Sequence, residues 1–258
     1  MLAAQGSHEF LVLLARPDDL LPDEQRRAEV ARLLSTQDLD HAGRFRSARD
    51  RDTALTSRAV QRLALSIATG HRLEPHAWRF TNVEHARPEI LDAPAEWRQL
   101  RFSASNTSGL VGCAVSMTRE IGLDLERRRR ELPTELLDYC LNDRERSALL
   151  QLPASQQADR FMHLWTAKEA YLKARGLGVT EALHEVEVIF AQNEESSRLL
   201  LGSSFKDIGE RWQLESWLPT GDHIATTCAE RDDAATPRRI NRRWVRWSDD
   251  SASLVLAE

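Results

Sequence analysis

Two successive stretches of this chain carry the same order of predicted elements: a strand, then helices, then strands again. In the first stretch, residues 10–15 predict a buried strand, and the apolar positions of residues 23–34 and 50–69 follow the 3.6-residue period of helices. Residues 78–83 and 110–116 predict further strands. This order limits the chain to a mixed fold of helices and sheets.

The second stretch begins after a join near residues 117–120. Its predicted strands and helices are a strand over 121–125, helices over 134–140, 143–150 and 155–175, and strands over 186–190, 212–217 and 224–229. We expect a polar turn over 103–109, a hairpin of the strands on either side of the join, and helix N-caps at Asp23, Asn142 and Ser155. An internal duplication is suggested by element order alone, because no residue-level repeat is visible.

Composition excludes some classes of function. The formal net charge is −5, from 35 basic and 40 acidic residues, which argues against bulk affinity for nucleic acid or a membrane surface. The three cysteines have wide spacings and make no disulfide framework, so we expect a reducing, cytoplasmic location. Only three residues are lysines, namely Lys168, Lys173 and Lys206, and two of them lie five residues apart.

The strand over 121–126 carries two carboxylates on one face. Side chains alternate along a strand, so Gly122, Asp124 and Glu126 point away from the face of Ile121 and Leu123. Asp124 and Glu126 are then roughly 7 Å apart along the chain. Oxygen ligands so placed suit Mg²⁺. Alone, the pattern also fits an ordinary amphipathic strand with a solvated acidic face.

A helical stripe follows about 40 residues later. Trp165, Glu169 and Lys173 step by four, so they lie on one side of the predicted helix. Alone, this pattern also fits a core tryptophan beside a plain Glu–Lys helix pair.

Together the two patterns resemble the signature of the 4′-phosphopantetheinyl transferase superfamily. The matching segments are Gly122-Leu-Asp124-Leu-Glu126 and Trp165-Thr-Ala-Lys168-Glu169-Ala-Tyr-Leu-Lys173. The resemblance covers roughly residues 34–190, with the long, monomeric surfactin type as the nearest pattern. It implies an α+β fold of two similar halves related by a pseudo-twofold axis, each a small, mainly antiparallel sheet packed with helices. The implied division is 1–118 for the coenzyme A phosphate side and 119–258 for the metal and catalytic motifs.

The first half matches the family more loosely. The resemblance implies coenzyme A contacts from Arg44, Arg51, Arg58 and Arg87, and from Ser105, Asn106 and Thr107. Asn106 departs from the family, which usually has histidine there. Asparagine donates hydrogen bonds but brings no positive charge, so the grip on coenzyme A phosphate is weaker or is compensated by an arginine.

The implied reaction moves phosphopantetheine from coenzyme A to a serine of an acyl or peptidyl carrier protein and releases adenosine 3′,5′-bisphosphate. Asp124, Glu126 and Glu169 would bind Mg²⁺, with Mn²⁺ possible, and Glu169 would also be the base for the serine proton. Lys173 would stabilise or protonate the leaving phosphate. Asp124, Lys168 and Lys173 would also contact coenzyme A.

Other interpretations stay open from the sequence. The same carboxylates could serve a magnesium phosphohydrolase, and a divergent homologue could bind coenzyme A without catalysis. The run Arg127–Arg130 could meet an acidic carrier-protein helix, steer coenzyme A towards the site, or be a solvated loop. The Arg- and Trp-rich residues 238–247 are more typical of a peripheral strand than of a nucleic-acid surface.

Overall fold

A computed structural model describes residues 10–81, 88–177, 183–190, 196–231, 239–248 and 253–258. The helices are α1 (Pro17–Leu20), α2 (Glu24–Ala31), α3 (Thr36–Gly43), α4 (Ala48–Ala68), α5 (Leu137–Cys140), α6 (Asp143–Leu150) and α7 (Ala154–Ala174). The strands are β1 (Phe10–Ala15), β2 (Arg101–Thr107), β3 (Leu110–Ser116), β4 (Ile121–Arg127), β5 (Val186–Phe190), β6 (Ser196–Leu201), β7 (Trp212–Thr220), β8 (His223–Glu230), β9 (Ile240–Trp247) and β10 (Leu254–Ala257). Short 3₁₀ turns precede some of these strands and helices.

The chain forms two compact units, and along the main chain the division falls between Arg119 and Glu120. The expectation of a mixed α+β fold with a mainly antiparallel sheet and helices in each half is confirmed. Within the described residues, no helix is both long and apolar enough to cross a membrane.

The first unit contains a five-stranded sheet in the order β10-β9-β1-β3-β2. Every pair of neighbours is antiparallel except β1 and β9, which run parallel with Phe10 opposite Ile240. The end of the chain therefore lies in the first sheet, whereas the expected division at residue 118 grouped it with the second half. The structure differs because β1 takes hydrogen bonds from β9 on one side and β3 on the other, a long-range pairing that local patterns do not reveal.

Helix α4 packs on this sheet through β1 and β3. Its apolar stripe, including Leu65, meets Leu13 and Val115, and all three are buried. The helix ends as predicted, because Gly70 adopts a φ of 67° that a residue with a side chain disfavours. Arg62 of α4 is buried and ion-paired to Asp38 of α3, with 2.6 Å between nitrogen and oxygen.

The second unit contains a fully antiparallel sheet in the order β4-β8-β7-β6-β5. The predicted hairpin of residues 110–116 with 121–125 is wrong, because β3 and β4 belong to different sheets. Strand β3 instead pairs with β2, which includes residues 103–107 of the predicted turn. The turn itself is shorter and contains Gly109, whose φ is 87°.

Helix starts were predicted with mixed success. Asp23 and Asn142 cap α2 and α6 through their side chains, and Asn142 forms a capping box with Glu145. The predicted cap at Ser155 is wrong, since α7 begins at Ala154 and follows Pro153.

A buried carboxylate, Asp207, ties the β6–β7 connection to α7. It accepts hydrogen bonds from the Trp212 indole at 2.8 Å and the Tyr171 hydroxyl at 3.1 Å, and it also pairs with Arg175. Burial alone would raise the pKa of Asp207, but the hydrogen bonds from Trp212, the Ile208 amide and Tyr171 outweigh it and hold this pKa below its ordinary value. The carboxylate is therefore a charged anchor for one side of α7.

We expect Asp207→Asn to flatten the acid dependence of stability. A carboxyl with a depressed folded pKa stabilises the fold above its unfolded pKa, which is about 4, and this contribution is lost as pH falls through the folded pKa. The free energy of unfolding of the unmodified protein should fall below about pH 4, and that of the variant should fall less. Urea unfolding followed by circular dichroism measures this, with the exposed Asp40→Asn as control. An unchanged acid limb in Asp207→Asn would contradict the assignment.

Candidate active site at strand β4 and helix α7

The backbones of β4 and α7 come unusually close at Gly122. A Cβ atom built on Gly122 would lie 1.9 Å from the carbonyl oxygen of Ala170 and 2.5 Å from the amide nitrogen of Ala174. Both alanines are fully buried. A glycine inside a strand often marks such a close approach, and here it determines how near the side chains of β4 come to those of α7.

The predicted alternation of β4 is confirmed. Ile121, Leu123 and Leu125 are buried, while Asp124 and Glu126 share the side of Gly122 and reach α7. The Lys173 ammonium lies 2.6 Å from Asp124 Oδ1. One helical stripe therefore meets one strand face.

Trp165 and Glu126 make a second contact between the two elements. The Trp165 indole nitrogen donates a hydrogen bond of 3.2 Å to Glu126 Oε1. The sequence placed Trp165 in the stripe but did not predict this role. A tryptophan has one polar atom, which seeks a partner when the ring is partly buried, so the pattern contained that signal.

Glu169 is the least satisfied carboxylate of the group. It is 5% exposed, and its Oε1 is buried without a hydrogen-bond partner among the described residues. Burial and the negative charges of Asp124 and Glu126 raise the pKa of Glu169 to about 7, against the opposing attraction of Lys173. Burial and Asp124 also raise the pKa of Glu126. The three carboxylates therefore act on one another electrostatically.

These residues fit a divalent cation. The negative charges of Asp124 and Glu126 act on Glu169, and one oxygen of Glu169 is buried without a hydrogen-bond partner among the described residues. Carboxylate oxygens are the hard donors that Mg²⁺ prefers. Over the part of the chain that the structure describes, no group of three or more His, Cys, Asp or Glu side chains is already gathered as metal ligands. Asp124 instead holds the ammonium of Lys173.

Lys168 does not face this site, and its predicted contact with coenzyme A is not supported. Its nitrogen is fully buried and donates to Glu145 Oε2 at 2.6 Å, to the Cys140 carbonyl at 2.6 Å and to the Leu183 carbonyl at 3.1 Å. An ammonium has three donors, so all are used. Glu145 also accepts from the Val188 amide at 2.9 Å, which makes the pair a buried link between α6, α7 and β5.

One residue of the arginine run at the end of β4 is held by contacts to other parts of the second unit. The Nε atom of Arg128 lies 2.6 Å from Asp159 of α7, and its guanidinium also donates to the Gly221 carbonyl at 3.1 Å. Arg127, Arg129 and Arg130 are exposed. The positive charge of Arg129 lowers the pKa of Glu126, although burial dominates that pKa.

The predicted coenzyme A residues of the first half that the structure describes lie apart in the chain from the group on β4 and α7 and belong to the first unit. Arg44 is exposed at the end of α3, and Arg51 has a buried Nε with no hydrogen-bond partner among the described residues. Arg58 donates to Gln61 at 2.9 Å and lies 3.7 Å from Asp38. Arg87 lies outside the described residues.

The polar segment of the first half lies on a strand. Ser105 is buried, Asn106 is exposed and Thr107 is half-buried at the end of β2. Arg49 of α4, which the sequence did not single out, donates a hydrogen bond to Ser108 in the following turn. Its positive charge therefore lies at a residue two positions after Asn106 in the chain.

Comparison with known proteins decides the family. A family model described as the 4′-phosphopantetheinyl transferase superfamily matches residues 120–228, which include β4 and α7. The chain is 34% identical over 197 residues to the 4′-phosphopantetheinyl transferase HetI of Nostoc sp. (strain PCC 7120), covering 75% of this chain and 78% of that protein. The chain belongs to the 4′-phosphopantetheinyl transferase superfamily. The resemblance inferred from the sequence motifs is confirmed.

Within this superfamily the chain is of the long type. It is 29% identical over 131 residues to the 4′-phosphopantetheinyl transferase Sfp of Bacillus subtilis, covering 51% of this chain and 56% of that protein. The crystal structure of Thermotoga maritima holo-[acyl-carrier-protein] synthase covers 44% of this chain and 64% of its own, at 17% identity and a TM-score of 0.36. A likeness at that level does not bear on the fold of this superfamily member.

We expect Gly122→Ala to destabilise this phosphopantetheinyl transferase homologue. The new methyl group meets backbone atoms, so β4 and α7 must separate, and such overpacking costs about 1–3 kcal/mol. Gly221→Ala is the matched control, because a Cβ there meets nothing within 4 Å. Urea unfolding compares the two free energies of unfolding, and equal stability of both variants would contradict the close approach.

We expect Lys168→Met to be strongly destabilising. Removing the ammonium leaves Glu145 as an uncompensated buried charge, which costs about 3–5 kcal/mol. The exposed Lys206→Met should change stability by no more than about 0.5 kcal/mol. The same urea measurement tests both. If the Lys168→Met protein were as stable as the unmodified protein, Lys168 would have no structural role and would again be a candidate for contact with phosphate.

Proposed function

We propose that the protein transfers the 4′-phosphopantetheine moiety of coenzyme A to a serine of an acyl or peptidyl carrier protein and releases adenosine 3′,5′-bisphosphate. The observation that carries the proposal is the electrostatic coupling of Asp124, Glu126, Glu169 and Lys173 between β4 and α7. Membership of the superfamily supports it, because the two named relatives are 4′-phosphopantetheinyl transferases.

The reaction exchanges a phosphoanhydride bond for a phosphodiester bond. The serine oxygen forms a bond to the β-phosphorus of coenzyme A, and the bond from that phosphorus to the adenosine bisphosphate oxygen breaks. The serine proton passes to Glu169, directly or through water. A carboxylate with a pKa of about 7 is a suitable acceptor at neutral pH, because it is ionised in part and still basic.

Lys173 would stabilise the leaving phosphate in the proposed reaction. It lies one helical turn after Glu169 on the same stripe, and about a third of its side chain is exposed. An ammonium there can neutralise or protonate the phosphate oxygen that carries the departing charge.

Asp124, Glu126 and Glu169 would hold a magnesium ion, for which manganese could substitute. A bound divalent cation neutralises the negative charge that collects on bridging and leaving phosphate oxygens. The Trp165 indole orients Glu126 for this role, since it fixes one carboxylate oxygen and leaves the other available.

Coenzyme A phosphates would be bound by the arginines of the first half. Arg44, Arg51, Arg58 and Arg87 are the candidates, together with Ser105, Asn106 and Thr107. Arg49 joins them, because its hydrogen bond to Ser108 places a positive charge two residues along the chain from Asn106. Lys168 is removed from this set by its buried contacts.

The carrier protein would meet the exposed arginines at the end of β4. Arg127 is the last residue of the strand that carries Asp124, Arg129 and Arg130 follow it, and a cationic segment there attracts an acidic partner. We also propose that the protein acts in the cytoplasm as a monomer, without nucleic-acid or membrane partners.

Glu169→Gln tests the function. Loss of the base and of one ligand should reduce transfer by about 100-fold or more. Mass spectrometry of apo carrier protein incubated with enzyme, coenzyme A and Mg²⁺ measures the phosphopantetheine mass gain. Glu24→Gln, at a side chain that is 96% exposed, should transfer normally. Unreduced transfer by Glu169→Gln would refute its catalytic role.

The same assay separates the alternatives. A magnesium phosphohydrolase would cleave coenzyme A without any carrier protein, and a binding homologue would take up coenzyme A without modifying the carrier. Either result with the unmodified protein would replace the proposed transferase activity.

A further inference from the structure

The inference concerns Lys173, and it rests on the proposed function. Lys173 is the cation already present among the three carboxylates: its nitrogen contacts Asp124 Oδ1 at 2.6 Å. Its charge also acts on Glu169 and Glu126, since it lowers the pKa of both against burial. Asp124 is 4% exposed, so this contact is poorly screened by water.

A divalent cation on Asp124 would compete with this ammonium. Two positive charges around one small carboxylate repel each other strongly in a desolvated site. The oxygen that contacts Lys173 belongs to Asp124, which is also one of the proposed metal ligands. The lysine can yield, because about a third of its side chain is exposed and its four-carbon stem is flexible.

We propose that Lys173 is an internal counter-ion of Asp124 that exchanges with the divalent cation, so that cation binding releases the ammonium toward the substrate phosphate. The site then holds a positive charge on Asp124 at every stage. The lysine becomes available to the anionic substrate only once the cation has taken its place.

Two consequences follow for affinity. The cation alone binds weakly, because it must displace Lys173 from Asp124. Coenzyme A tightens cation binding, because its phosphates offer the displaced ammonium a new partner, and by linkage the cation tightens coenzyme A binding equally. The second effect depends on Lys173 and should shrink when the lysine is removed.

The test measures binding of Mn²⁺ alone, followed by the electron paramagnetic resonance signal of the free ion. Lys173→Met removes the charge and keeps the stem, so it should bind Mn²⁺ about tenfold more tightly than the unmodified protein. Lys173→Arg keeps the charge and should bind within about twofold of it. Coenzyme A should tighten Mn²⁺ binding less in Lys173→Met than in the unmodified protein.

Equal or weaker Mn²⁺ binding by Lys173→Met would overturn the exchange. Thermal unfolding shows whether that variant folds, and Lys173→Gln replaces it in the same comparison if it does not. Asp124→Asn should abolish binding in every background.

The carrier-protein assay separates this inference from the function on which it rests. If the unmodified protein transfers phosphopantetheine and binds Mn²⁺, but removal of Lys173 does not tighten binding, the exchange alone fails. If the unmodified protein neither transfers nor binds Mn²⁺, both proposals fail.

Discussion

The close backbone approach of β4 to α7 is the constraint on which the candidate site depends. Gly122 allows the strand to lie against the helix at Ala170 and Ala174, and side chains two and four residues further along the strand then meet the helical stripe. Without that approach, Lys173 could not contact Asp124 and Trp165 could not reach Glu126. The absence of a side chain at Gly122 therefore helps to bring Asp124 and Glu126 of β4 together with Glu169 and Lys173 of α7, which lie more than 40 residues later in the sequence.

Concentrating three carboxylates beside one lysine has an energetic cost that the rest of the unit must offset. Burial and mutual repulsion raise the pKa of Glu169 to about 7, which shows that the ionised form is held there at a disadvantage. Helix α7 is anchored on its other sides by charged groups that are well satisfied. Lys168 forms an ion pair with Glu145 in the core. Asp207 accepts a hydrogen bond from Tyr171 and forms an ion pair with Arg175. The electrostatically unfavourable stripe thus lies on a helix whose other charged groups are well paired, as is common at functional sites.

The sequence predicted which side chains share a face better than it predicted the topology, and the reason is physical. Periods of 2 and 3.6 residues determine which side chains share a face, so the groupings of Asp124 with Glu126 and of Trp165 with Glu169 could be deduced locally. The same helical period could have corrected Lys168, which lies about 100° around the helix from Glu169 and so points away from the stripe. The family motif contains both lysines, but Lys173 lies on the stripe of Glu169 and Lys168 does not.

Strand partners could not be deduced in this way, because hydrogen-bonded pairing joins residues that are distant in sequence. Residues 110–116 and 121–125 look like a hairpin from their spacing, yet β3 pairs with β1 and β2, while β4 pairs with β8. The parallel pairing of β1 with β9 spans most of the chain. A local pattern carries no information about such partners.

The position of β4 at the end of the strand order in the described part of its sheet connects the topology to the chemistry. Its backbone hydrogen bonds on one side go to β8, where Asp124 lies opposite Thr226. Among the described elements it also packs on α7. Asp124 and Glu126 therefore reach Glu169 through a strand pairing formed across about 100 residues and a contact between the strand and the helix. Neither contact exists locally in an unfolded chain, so the site forms only when the second unit has folded as a whole.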